Sequence, residues 1–215
     1  TIPAAAGLAL LALPIVTTLF QYGEFGGEDA RMAALALLAY AGGLPGFVGV
    51  KVLAPGYYAR QDTATPVRCA VAALVSNMVL NVVFLAALCA MLFDGSWHGP
   101  LHVLENTPGL HPALALASAV AAYINAGLLA RGLIRRGLWV PQPGWGRFIL
   151  RIAGAALLMV GLLVALRAIP AAWDAGPWWW RGLWLVAVIG AGVAGYFAAL
   201  VAAGMRPAQL RPPQL

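Results

Sequence analysis

The chain has 215 residues, 62% of them hydrophobic and only 9% charged, with a net charge of +6. A soluble domain carries roughly 25% charged residues, so this deficit, with a mean hydropathy of +0.85, excludes an ordinary soluble domain and points to a polytopic membrane protein. The basic balance does not imply nucleic acid, because Lys and Arg stand at the ends of apolar runs and make no polar face of their own.

Six apolar runs are long enough to span, each near 20 residues: about 2–20, 30–53, 67–92, 112–134, 147–169 and 180–204. The first begins directly in apolar sequence, without the basic start of a cleavable signal. It ends at QYGEFGGED, where Gly23, Gly26 and Gly27 mark a turn. The second run is the most irregular. Gly42, Gly43, Pro45, Gly46 and Gly49 lie within it, and a proline there removes a backbone bond and kinks the helix. An interrupted span points to a moving or binding element of a transporter; close packing of glycine-rich membrane helices is the competing reading. Lys51, near the end of this run, either snorkels to the headgroups or lines a cavity as a cation.

The connection 54–66 falls in KVLAPGYYARQDTATPVR. It suits a water-facing or headgroup-level segment, with Tyr57 and Tyr58 at the interface. Arg60 and Asp62 are either solvated loop charges or ligand contacts. Thr65 is expected to cap the next helix, with Pro66 in its first position. Ser76, Asn77 and Asn81 follow in the third run, and the two amides share a face at i, i+4. Ser118, Tyr123 and Asn125 add polar groups in the fourth. Oxygens of Asn77, Asn81 and Ser118 could together hold an ion, or the amides could bond between helices. Cys69 and Cys89 are 20 residues apart on one expected helix, about 30 Å along its axis, too far to form a disulfide.

His98 and His102, with His111 beyond them, offer a weak metal motif on an outer connection. Solvated loop histidines are the simpler reading, and no metal site is assigned. RRGLWVPQPGWG and PAAWDAGPWW separate the last runs. Trp173, Trp178, Trp179, Trp180 and Trp184 form an interfacial belt, and a Pro-rich tail closes the chain at 205–215.

Placing the second connection, the fourth connection and the tail on one side puts ten basic residues there and leaves three on the other. The ten include Lys51, Arg60, Arg68, Arg136 and Arg151. Six acids lie on the opposite side and only Asp62 on this one. The positive-inside rule makes the basic side cytoplasmic, with both ends of the chain there. No serine–histidine–aspartate set, HExxH, phosphate-binding glycine loop or CxxC pair is found in the sequence, so no enzymatic role is expected.

Three motifs in one order carry a family resemblance: LFQYGEF at 19–25, KVLAPGYYARQDTATPVR at 51–68 and PQPGW at 141–145. They resemble the MurJ/MviN lipid II flippases of the MOP exporter superfamily, the second matching the loop between their tenth and eleventh helices. The resemblance implies an all-α polytopic membrane protein whose six transmembrane helices form the C-terminal lobe of a two-lobed, MATE-like flippase plus two extra helices. Residues 1–134 would supply four helices of the lobe, 135–204 the two additional helices and 205–215 a cytoplasmic tail. The chain would begin within span nine of fourteen.

The implied substrate is lipid II, an undecaprenyl-pyrophosphate-linked sugar-peptide, moved by alternating access across the bacterial cytoplasmic (inner) membrane. The implied partners are lipid II, membrane lipids and the missing N-terminal lobe, with no nucleic acid. No cofactor is implied beyond a coupling ion, Na+ or H+. Some relatives couple transport to sodium from a site in this lobe, often with a carboxylate; here both candidate positions, Asn77 and Asn81, are amides, so the negative charge such a site needs is absent and bonding between helices is the favoured reading. In the family the last two helices border a groove for the polyprenyl tail; plain lipid-facing anchors are the alternative. Another lipid-linked oligosaccharide or drug exporter, an intramembrane enzyme, and a structural membrane subunit are the other functional readings.

Overall fold

A computed structural model describes residues 1–92, 110–139, 144–168 and 176–204, and their regular structure is entirely helical. Seven helices occur among them: α1 (Ile2–Leu10), α2 (Ala12–Phe20), α3 (Gly27–Tyr58), α4 (Ala64–Leu92), α5 (Leu110–Arg135), α6 (Trp145–Ala168) and α7 (Trp178–Ala202). The last five are each long and apolar enough to cross a membrane, and α1 with α2, bent against each other, bring the number to six where the pair is counted as one broken span. An all-α, polytopic membrane protein is therefore what the chain forms. His98 and His102, residues 141–143, Trp173 and the tail 205–215 lie outside the described residues.

The first span departs from expectation. The run 2–20 is not one helix but two, broken at Leu11 and bent by 61°. Pro14 has no N–H to return to the Leu10 carbonyl, which is the bond a straight helix would need there. Helical bonding resumes at once, with the Ile15 N–H donating to the Leu11 carbonyl at 2.8 Å.

The second span, by contrast, is unbroken. α3 runs 32 residues through both Pro45 and Pro55, starting where Asp29 accepts the Gly26 N–H at 2.9 Å. Glu28 and Asp29 stand in its first turn, where carboxylates favour the helix dipole. Its length comes from its partner. Gly43, Gly46 and Gly49 bring α3 so close to α5 that a Cβ at Gly43 would fall 2.7 Å from the Ala119 Cα, and one at Gly46 would fall 2.9 Å from the Tyr123 nitrogen. In a membrane, where lipid offers no hydrophobic drive between helices, such close backbone approach is what holds a pair together. Tyr123 on α5 also donates its hydroxyl to the Gly42 carbonyl at 2.8 Å, beside the turn that Pro45 weakens. Neighbouring helices commonly steady proline-containing spans in this way.

α4 packs chiefly on α5, while α6 and α7 pack on each other. Gly192 and Gly195 of α7 make room for Leu163 and Leu162 of α6. The α6–α7 pair then rests on the bent first span.

Candidate functional site

The polar end of α3, α4 and α5 is where most of the singled-out side chains lie, and the structure redraws it. α3 continues to Tyr58 and α4 begins at Ala64, so the expected connection 54–66 contracts to 59–63. Pro55 is absorbed into the last turns of α3 and Pro66 into the first turn of α4, where a missing N–H costs little. The cap also differs. The Asp62 carboxylate, not the Thr65 hydroxyl, satisfies the helix start: Oδ1 accepts the Thr65 N–H at 3.0 Å and Oδ2 the Thr65 hydroxyl at 2.7 Å.

Arg136, just past the end of α5, closes this arrangement. Its Nη1 lies 2.7 Å from Asp62 Oδ2 and its Nη2 donates to the Thr65 hydroxyl at 3.1 Å. The two Thr65 hydrogen bonds, side chain before backbone, and then Arg136 hold the Asp62 carboxyl down at about 2. Asp62 is thus engaged within the chain, as a cap and an ion-pair partner. Arg60 is exposed beside it, after which Gln61 takes a left-handed backbone (φ 59°) to complete the turn.

Tyr57 moves furthest from expectation. It is fully buried, not interfacial. Its hydroxyl donates to the Leu129 carbonyl of α5 at 2.7 Å, and its ring packs with Leu129 and Leu133. The Arg136 guanidinium sits 5.4 Å from the ring centroid, a cation–π distance. Gly132 is what admits the ring, since a Cβ there would collide with the Tyr57 hydroxyl. Tyr58, next in sequence, is exposed. One arginine therefore joins the ends of α3, α4 and α5.

Lys51 is exposed on α3, seven residues and so about 10 Å from the helix end. Neither it nor Arg60 forms a salt bridge with another described residue.

The polar cluster of α4 and α5 is brought together as the spacing suggested. Asn81 Nδ2 donates to Asn77 Oδ1 at 2.8 Å, Asn77 Nδ2 to the Ser118 hydroxyl at 3.2 Å, and that hydroxyl to the Leu114 carbonyl at 3.2 Å. This is an amide ladder between two helices. It leaves the buried Asn81 Oδ1 as its one side-chain oxygen without a partner. A sodium ion needs several oxygens and, in so apolar a setting, a compensating charge. A single neutral oxygen does not meet that need, so these residues do not fit a resident cation. Among the described residues no group of three His, Cys, Asp or Glu could hold a metal.

The glycines proposed as a bend do different things. Gly43 and Gly46 face α5 directly, whereas a Cβ on Gly42 would meet nothing within 4 Å. Between α6 and α7 lies an open groove of about 620 Å³ lined by Leu150, Arg151, Gly154, Leu157, Leu158, Ala199 and Ala202. Sequence reasoning missed both the Asp62–Arg136 pair and the break at Leu11. The first joins residues 74 apart and has no local signal; the second was announced by Pro14.

Described residues that are entirely helical in their regular structure, with five to six candidate spans and a glycine-packed helix pair, define a polytopic integral membrane protein. Residues 1–98 match the family described as "Lipid II flippase MurJ". The chain is 39% identical to the probable lipid II flippase MurJ of Vibrio cholerae, over 98% of this chain and 36% of that protein. It is 37% identical to the lipid II flippase MurJ of Burkholderia cenocepacia, over 75% of this chain and 27% of that protein. With the probable lipid II flippase MurJ of Rhizobium meliloti it shares 34% identity, over 98% of this chain and 35% of that protein. The chain belongs to the MurJ lipid II flippase family and corresponds to its C-terminal part. It spans about a third of the length of the curated relatives it matches.

Proposed function

We propose that this chain is the C-terminal portion of a lipid II flippase, which moves the undecaprenyl-pyrophosphate-linked peptidoglycan precursor from the cytoplasmic to the periplasmic leaflet by alternating access. The observation that carries the reading is the match over 98% of the chain to a relative named as a probable lipid II flippase, with the same name recurring among further relatives. The fold is compatible with it: transport needs helices that move and a polar surface for a headgroup, and no covalent step.

In this reading the basic end of α3, α4 and α5 faces the cytoplasm of a bacterial inner membrane, with both ends of the chain on that side. Lys51 and Arg60 are the cations positioned to meet the pyrophosphate, and Asp62 orders the turn that carries Arg60. The groove between α6 and α7 is apolar but for its arginine, as a polyprenyl chain would require. The other lobe of the transporter is supplied by sequence outside this chain, and a coupling ion, Na+ or H+, would drive the cycle from elsewhere than the Asn77–Asn81 ladder.

The test is reconstitution of the complete reading frame in liposomes, with lipid II flipping measured by headgroup accessibility. Transport of lipid II supports the reading; transport of a different lipid-linked oligosaccharide or a drug in its place, or of nothing, overturns it. Orientation is checked separately. A cysteine at Gly137 should react only from the cytoplasm and one at Glu24 only from outside.

A further inference from the structure

The hydrogen bonds of the α4–α5 ladder all point the same way. The Asn81 amide donates to Asn77 Oδ1 at 2.8 Å, the Asn77 amide to the Ser118 hydroxyl at 3.2 Å, and that hydroxyl to the Leu114 carbonyl at 3.2 Å. The oxygens of Asn77, Ser118 and Leu114 each accept a hydrogen, and the series ends on the buried Asn81 Oδ1, which has no partner. α4 packs chiefly on α5, and the Asn77–Ser118 bond crosses that contact well inside the two spans.

The donor at position 81 is what permits this arrangement. An asparagine carries an NH2 beside its carbonyl, whereas an ionised aspartate offers acceptors alone. A carboxylate in the rotamer that Asn81 holds would set an oxygen against Asn77 Oδ1, where a nitrogen now stands at 2.8 Å. Two acceptors so close repel each other, and only a cation or a proton placed between them relieves the contact. A charge within a span is also costly unless it is paired. The Asn81 amide removes both needs. Its hydrogen fills the space before the Asn77 oxygen, and it brings no charge to be neutralised. Hydrogen bonds in series polarise one another where the dielectric is low, so a ladder built in one direction gains from its order.

We infer that the Asn81 amide takes the place of a cation between α4 and α5: this chain closes that seam without sodium, and the residue at position 81 sets which of the two arrangements forms. The misfit between these side chains and a resident cation is then a substitution, in which the lost carboxylate is matched by a gained donor. The inference goes beyond the transport reading. It concerns how two helices are tied and stands whatever the protein carries.

The experiment is thermal unfolding of the full-length protein in detergent, in sodium, potassium or choline chloride at equal ionic strength. Wild type should unfold at the same midpoint in all three. Asn81→Asp, in alkaline buffer where the carboxyl is ionised, should unfold at a lower midpoint in potassium and recover with sodium in a saturable way. Adding Asn77→Ala to that variant should weaken the recovery, because it removes an oxygen from the created site. A sodium-specific rise in wild type that Asn77→Ala abolishes overturns the inference, as does an Asn81→Asp protein that ignores sodium. A rise in wild type that survives Asn77→Ala comes from ions bound outside the ladder and supports it. Where Asn81→Asp fails to insert, wild type against Asn77→Ala decides. No flipping is measured, so failure here is distinct from failure of lipid II transport.

Discussion

The Arg136 guanidinium holds the Asp62 carboxylate at 2.7 Å, and through it binds the end of α5 to the start of α4. Asp62 is simultaneously the cap of α4, so its carboxyl sits at about 2, below its ordinary value near 3.9. A group whose folded pKa is depressed contributes stability above its unfolded pKa and loses it as pH falls toward the folded one. The protection factors of the Thr65 amide and the 59–63 turn, observed rates set against intrinsic ones, should therefore be constant from pH 8 to pH 5 and fall only below about pH 4. Asp62→Asn should remove that acid dependence, and Arg136→Met should raise exchange at Thr65 in wild type but much less in the Asp62→Asn background. Equal effects of Arg136→Met in both backgrounds would mean that the two residues act independently.

Tyr57 and Gly132 make a second coupled pair. Tyr57→Phe removes the bond to the Leu129 carbonyl, a loss of about 0.5–1.5 kcal/mol for an intramolecular hydrogen bond. Gly132→Ala drives a methyl into the hydroxyl of Tyr57, and such overpacking costs about 1–3 kcal/mol. The second change should be milder once the first has been made, because the phenylalanine has no hydroxyl to displace. Thermal unfolding of the single and double variants in detergent tests this. Strict additivity would place the alanine methyl elsewhere.

Much of this architecture was legible in the sequence, and the failures have physical causes. The spans followed from hydropathy, and the Asn77–Asn81 ladder from i, i+4 spacing. The second run was read as the broken one because it concentrates glycine and proline, yet those glycines let α5 approach and support α3 through Pro45. The first run carries Pro3 at its start, where a helix tolerates it, and Pro14 in its interior, and it is the one that breaks. Tyr57 looked interfacial because its neighbours in sequence are charged or turn-forming. Its burial depends on Gly132, 75 residues away, which no local pattern reveals.

Gly42 and Gly43 separate packing from bending. Gly43→Ala places its Cβ against the Ala119 backbone and should destabilise the α3–α5 pair by about 1–3 kcal/mol. Gly42→Ala meets open space and should be neutral or slightly stabilising, since alanine outranks glycine within helices. Pro45→Ala should keep the folded yield and, where the turn serves as a bend in transport, lower the flipping rate. A Gly43→Ala protein that unfolds at the wild-type temperature would show that the two helices can draw apart at no cost.

Lys51 is the sharpest test of the transport reading. It is exposed on α3, about 10 Å short of the helix end, and in the transport reading proposed above it lies toward the cytoplasmic side. An ammonium at that depth either snorkels outward along its own stem or meets a phosphate entering from the cytoplasm with charge-assisted hydrogen bonds. Lys51→Met keeps much of the stem and removes the charge; Lys51→Arg keeps the charge and alters the donor geometry. A residue that only snorkels tolerates both. A phosphate ligand does not: Met should lose the interaction and Arg retain part of it. A lost hydrogen bond to a charged group is worth about 1.5–3 kcal/mol, or roughly ten- to a hundred-fold in affinity. Lipid II binding to full-length protein at matched levels reads this directly, and wild-type affinity in Lys51→Met would remove Lys51 from the cavity.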